Sequence, residues 1–201
     1  MLFSEQSPAF ADRDSSDQRR SLLSELRIAF QSAFPAIQYQ IFSELNLLNG
    51  QALLLGTQRI VRLYGGVALH PAMGRDGLAF TLLHETGHHL AEGARLPWNP
   101  LLACECVADF WAFHLGYKML SNSTGWTVNI PKALDEVSTL IETEANGTNV
   151  VPQTGERDLG ACWAMRWHDR RASILAERSI PRDHACSLNF YILGPCLIAH
   201  R

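Results

Sequence analysis

Residues 80–88 read Phe-Thr-Leu-Leu-His-Glu-Thr-Gly-His, and the two histidines four apart decide how the rest of the chain is read. On a helix, His84 and His88 project from one face, one turn apart. Two imidazole nitrogens so placed reach a single zinc ion at roughly 2.0–2.1 Å each. Glu85 lies about 100° round the helix from His84, beside such an ion rather than on it. There a carboxylate can take a proton from an attacking water and later deliver it to a leaving amine.

A catalytic zinc takes three protein ligands and keeps one position open. Glu105 and Asp109 are also four apart, so a second helix presents both on one face. Glu105 is the expected third metal ligand. Asp109 then accepts the free ring N–H of a ligating histidine, and His84 is its expected partner. Sixteen residues separate His88 from Glu105 and include Gly93, Pro97 and Pro100, enough for a turn between two helices. Ala108 is small where those helices must approach. Acids four apart are more often a solvated face. Here their neighbours are Leu101, Leu102, Ala103, Val107, Ala108, Phe110 and Trp111, and burying an unpaired carboxylate among them is costly. His89, four after Glu85, reads either as a residue of the cleft edge or as a surface or helix-end histidine.

Outward from this pair, residues 17–34 show an amphipathic pattern, with Leu22, Leu26, Ala29, Phe30 and Ala33 opposite Arg19, Arg20, Glu25 and Arg27. Pro35 ends it. A short helix is expected over residues 37–48, closed by Asn49-Gly50. Residues 52–55 and 59–64, separated by Gly56-Thr57-Gln58, read as a hairpin that 66–70 extends. Asp76 is the expected cap of a helix over 78–92. One strong helix is expected over 101–120, another from Pro131 to about residue 145, and a last one over 158–178. Residues 1–14 read as loosely ordered, and 121–131 and 146–156 as loops.

The chain has 201 residues, 47% of them hydrophobic, which suits one domain with a substantial core. A formal net charge of −3 gives no push toward nucleic acid or an anionic membrane. The basic and aromatic run 166–171 reads as a helix face with Trp167 in the core. The first residues lack the apolar region of a signal peptide. The longest apolar run, 191–199, is too short for a bilayer. The expectation is a cytoplasmic protein with reduced thiols, since five cysteines make an odd number. Cys104 and Cys106 point away from the Glu105 face and read as packing thiols. Cys162, His168, His184, Cys186, Cys196 and His200 match no standard zinc spacing. His114, Tyr117, His168, His184 and Tyr191 are candidate donors to an oxyanion, with His114 turned away from Glu105.

His-Glu-x-x-His on a helix is a metalloprotease signature. Residues 80–88 resemble the Phe-Thr-Leu-x-His-Glu-x-Gly-His segment of the ImmA/IrrE family. Glu105-Cys106-Val107-Ala108-Asp109 resembles that family's Glu-x-x-Ala-(Asn/Asp) element, which other gluzincin peptidases share. The resemblance covers about residues 55–115. It implies a gluzincin-type fold with an antiparallel sheet against the active-site helix, a Zn2+ cofactor, and a protein substrate such as a helix-turn-helix repressor. The C-terminal ninety residues resemble no family.

The expected architecture is therefore α+β: one mainly helical, gluzincin-like zincin domain over 1–201, with a small antiparallel sheet beside the active-site helix. Its core spans about 50–120, and 121–201 form a helical extension. The expected function is zinc-dependent hydrolysis of a peptide bond by activated water, with Glu85 as general base and His84, His88 and Glu105 as ligands. The alternative is a non-catalytic zincin-fold module that binds a partner such as a transcriptional repressor. A third reading is a metal-free helical protein in which the pattern is fortuitous.

Overall fold

Leu53, Leu54, Ile60, Val61 and Leu63 flank a two-residue loop, Gly56-Thr57, and the chain reverses there. In the computed structural model, which describes residues 13–93, 95–96, 99–103 and 105–146, β2 (Gly50–Leu55) pairs antiparallel with β3 (Gln58–Tyr64). Gly56 takes φ +60, and among the described residues only glycines have positive φ. That is the demand of a type II′ turn at its first central position.

The third strand departs from expectation. Residues 37–48, expected as a helix, instead open with β1 (Ile37–Phe42), which lies parallel to β3. Ile37 and Tyr39 are buried and Gln38 is exposed, the period-two pattern of a strand lying on a core. The sheet has the order β1-β3-β2. It is thus mixed rather than purely antiparallel. Residues 66–70 do not extend the hairpin either. A one-turn helix, α2 (Gly65–Ala68), turns the chain away, and Gly65 and Gly66 lie so close to the backbone of Ser43, Leu45 and Leu47 that a Cβ has no room.

Helix α1 (Asp17–Ala33) forms as its pattern predicts. The Ser16 hydroxyl caps it by accepting from Arg19 N at 3.1 Å. Leu23, Leu26, Ala29 and Phe30 face the core. Arg19, expected on the polar face, is buried instead. Its guanidinium bonds Asp14 at 3.0 Å and the carbonyls of Met73 and His70, tying α1 to the segment before the central helix.

That central helix is α3 (Arg75–Leu90), and all its residues from Asp76 to His89 are buried. It touches α1, β2, β3 and several of the elements that follow it. Asp76 is not its cap. The N-cap is Gly74, and Asp76 accepts Asn129 N at 2.9 Å. Beyond α3, the expected single helix over 101–120 is divided. First, β4 (Arg95–Leu96) pairs antiparallel with β5 (Asn99–Ala103). Then come α4 (Glu105–Trp111), a π-helical turn (Ala112–Gly116) and α5 (Tyr117–Thr124). Gly125, left-handed at φ 73, stops α5. Helix α6 (Ile130–Asn146) packs on α3.

The described residues thus make an α+β arrangement, mainly helical, with two small sheets. None of their helices is long and apolar enough to cross a membrane. The expected helix over 158–178, the expected loop 146–156 beyond Asn146, which ends α6, and the second cysteine–histidine group lie outside the described residues, as does most of the expected extension 121–201.

Candidate metal centre

Two turns into α3, His84, Glu85 and His88 form a buried group whose ligand atoms all lie within 4.8 Å of one another. This group can hold a metal ion. The His84 and His88 rings meet edge-on, 4.7 Å between centroids and 86° between planes. Their Nε2 atoms are 3.1 Å apart.

The outer nitrogens explain the orientation. His88 Nδ1 is 2.7 Å from the carbonyl oxygen of Ala103, at the end of β5. A carbonyl only accepts, so Nδ1 carries the proton and, in the neutral ring, Nε2 presents a lone pair. His84 Nδ1 lies 2.6 Å from Asp109 Oδ1, and the same argument applies. Both Nε2 lone pairs therefore face one point. Two nitrogens each about 2.0–2.1 Å from a tetrahedral zinc stand roughly 3.3 Å apart, close to the distance here. The donor set fits a divalent ion that prefers imidazole.

Asp109 is fully buried, and α4 delivers it to His84 because α3 and α4 approach closely beside the site. A Cβ on Gly87 would stand 2.7 Å from the Ala108 carbonyl oxygen and 3.0 Å from its Cα. Gly87 and the small Ala108 set that spacing. Glu105 opens α4, one turn before Asp109, and its side chain lies outside the described residues. Glu85 faces the start of β2. A Cβ on Gly50 would come within 2.9 Å of Glu85 Oε1, so the glycine leaves room for the carboxylate.

His89 is neither at the surface nor free in a cleft. It is buried between α3 and the sheet, where its Nε2–H donates to the Ile60 carbonyl at 3.0 Å. Burial pushes the ring down to about 4, so it is neutral at pH 7. Tyr39 holds the same helix from β1. Its hydroxyl donates to Thr86 Oγ1 at 2.8 Å, while the Thr86 hydroxyl donates to Leu82 O at 2.6 Å. Burial pushes the Tyr39 phenol above its usual range. Tyr39 escaped notice because its strand read as a helix, although Ile37, Tyr39 and Ile41 alternate with glutamines. Of the described oxyanion-donor candidates, His114 lies against Phe110, the ring centroids 4.3 Å apart and the planes tilted by 35°, and Tyr117 packs against the core.

Comparison with known protein families, curated proteins and solved structures finds no match to this chain.

Proposed function

We propose that this chain is a zinc-dependent metallopeptidase that hydrolyses a peptide bond in a protein substrate. The carrying observation is the pair of Nε2 atoms 3.1 Å apart, each turned inward by an acceptor on the far side of its ring. His84 and His88 would hold the ion, and Glu105 is assigned as third ligand from its place on α4 one turn before Asp109. A zinc ion there would supply a Lewis acid, able to polarise a carbonyl and acidify water.

The chain's own groups do the rest. Asp109 keeps the proton on His84 Nδ1 and fixes the ring. The Ala103 carbonyl does the same for His88. Glu85, next in sequence to one histidine and grouped with both, takes a proton from the attacking water and passes it to the leaving amine. The likeness of residues 80–88 and 105–109 to the ImmA/IrrE family supports a peptide bond as target and a helix-turn-helix regulator as partner.

The test is elemental analysis of purified protein followed by Glu85→Gln. Stoichiometric zinc is expected in both proteins, and a protein that is cut in cells expressing the wild type should stay intact with the variant. Turnover retained by metal-replete Glu85→Gln would overturn the assigned base. Absence of zinc, with no stabilisation on adding it, would leave the fortuitous pattern as the better reading. Zinc with tight partner binding and no cleavage would favour the non-catalytic module.

A further inference from the structure

Helix α3 begins at a glycine, which has no side chain to cap it. In an ordinary N-cap, a Ser, Thr, Asp or Asn side chain accepts the N–H of the second or third helical residue. Here that oxygen comes from another helix. Glu136 Oε2, on α6, accepts Gly74 N at 3.0 Å and Gly77 N, the third helical residue, at 2.6 Å. Both glycines are required by the intruding carboxylate: a Cβ on Gly77 would lie 2.8 Å from Oε2, and one on Gly74 2.8 Å from Cδ.

The exchange is reciprocal. Asp76, the second residue of α3, accepts Asn129 N at 2.9 Å, and the Asn129 side chain in turn accepts Lys132 N at 3.2 Å where α6 begins. Lys132 Nζ lies 3.5 Å from Asp76 and 3.7 Å from Glu136. Each helix thus receives a carboxylate from the other at its positive end, and the cation bridges the two acids. Glu136 is largely buried, its side chain 13% exposed, so its bonds to the backbone are poorly screened.

We infer that Glu136 is a positioning residue for the metal centre, fixing the axial setting and rotation of α3 through Gly74 and Gly77. The far end of α3 is tied at four places: Asp109, Ala103, Ile60 and Tyr39. The near end is tied by this clasp and by Arg19 at the Met73 carbonyl just before the cap. Without Glu136 the near end keeps only the Arg19 bond before the cap, and a turn of α3 there carries His84 and His88 with it. The inference rests on the proposed metal centre.

The experiment titrates Co(II) into metal-free full-length wild type, Glu136→Ala and Glu136→Gln, following the visible d–d bands, with circular dichroism to confirm folding. In Glu136→Ala, Co(II) binding is expected to weaken about tenfold, the range seen for groups that orient ligands, with altered bands. Formate, small enough for the vacated cradle, should restore both affinity and band shape. Glu136→Gln keeps an accepting oxygen and should fall between, and it carries the test should Glu136→Ala not fold. Wild-type affinity and bands in the variants, or a loss that formate does not touch in folded Glu136→Ala, would overturn the positioning role while leaving the metal centre standing. A wild type that binds no Co(II) would overturn the centre itself, and this role with it.

Discussion

Gly87 and Ala108 set how near α4 comes to α3, because a single added carbon on Gly87 would stand 2.7 Å from the Ala108 carbonyl oxygen. The spacing matters chemically, since Asp109, the next residue, reaches His84 only at that separation. Gly87→Ala gains helix propensity but drives the helices apart. A net destabilisation of about 1–3 kcal/mol, as for overpacked cores, is expected in denaturant melts, together with weaker metal binding. A stabilised variant with intact metal affinity would show that the contact is slack.

Asp109 has zero exposure and faces His84 at 2.6 Å. Asp109→Asn keeps the shape and removes the charge that favours the required tautomer. Zinc affinity, measured by competition with a chromophoric chelator, should drop about 10–100-fold. Unchanged affinity would remove Asp109 from the centre.

Gly50 leaves room for Glu85 Oε1. In Gly50→Ala the carboxylate must shift, whereas the two imidazoles keep their anchors. Metal content should stay at the wild-type level while turnover of a cleaved substrate falls. Loss of metal alongside activity would mean that Glu85 itself helps to hold the ion.

His89 makes stability depend on acid. Desolvation holds the folded ring down to about 4, the Ile60 bond opposes this, and the charges of His88 and Arg59 add to it. An unfolded histidine titrates near 6.5, so between those values the unfolded chain binds the extra proton. Stability from this group is complete above about pH 6.5 and is lost as pH falls toward 4, up to about 3 kcal/mol in all. Guanidinium melts of chelator-treated protein at pH 7 and pH 4.5 should show a larger loss for wild type than for His89→Gln. Parallel losses would place the ring in a wetter setting than the geometry indicates.

The histidine helix and the hairpin before it were legible because their signals are local: two histidines at one-turn spacing, and apolar runs about a glycine turn. The His84–Asp109 pairing was legible too, since an acid buried in an apolar helix needs a partner. Residues 37–42 read as a helix although Ile37, Tyr39 and Ile41 alternate, because Leu45, Leu47 and Leu48 behind them blur the period. Leu101-Leu102-Ala103 is too short an apolar run for periodicity to separate strand from helix. The cap of α3 could not be read locally, as Glu136 lies 62 residues after Gly74. The place of His89 was not legible, because a histidine beside His88 carries no sign of facing a sheet.

The parallel pairing of β1 with β3 bears on the order of assembly. β2 and β3 are joined by two residues and can zip in roughly 1–10 μs. β1 meets β3 only after the chain between them closes into a loop, at greater entropic cost. Ile37–Phe42 amides should therefore gain protection in pulsed hydrogen exchange after those of Gln58–Tyr64. Since β1 carries Tyr39, the bond to Thr86 forms with this later event, and until then the helix bearing the histidines meets the sheet only through β2 and β3.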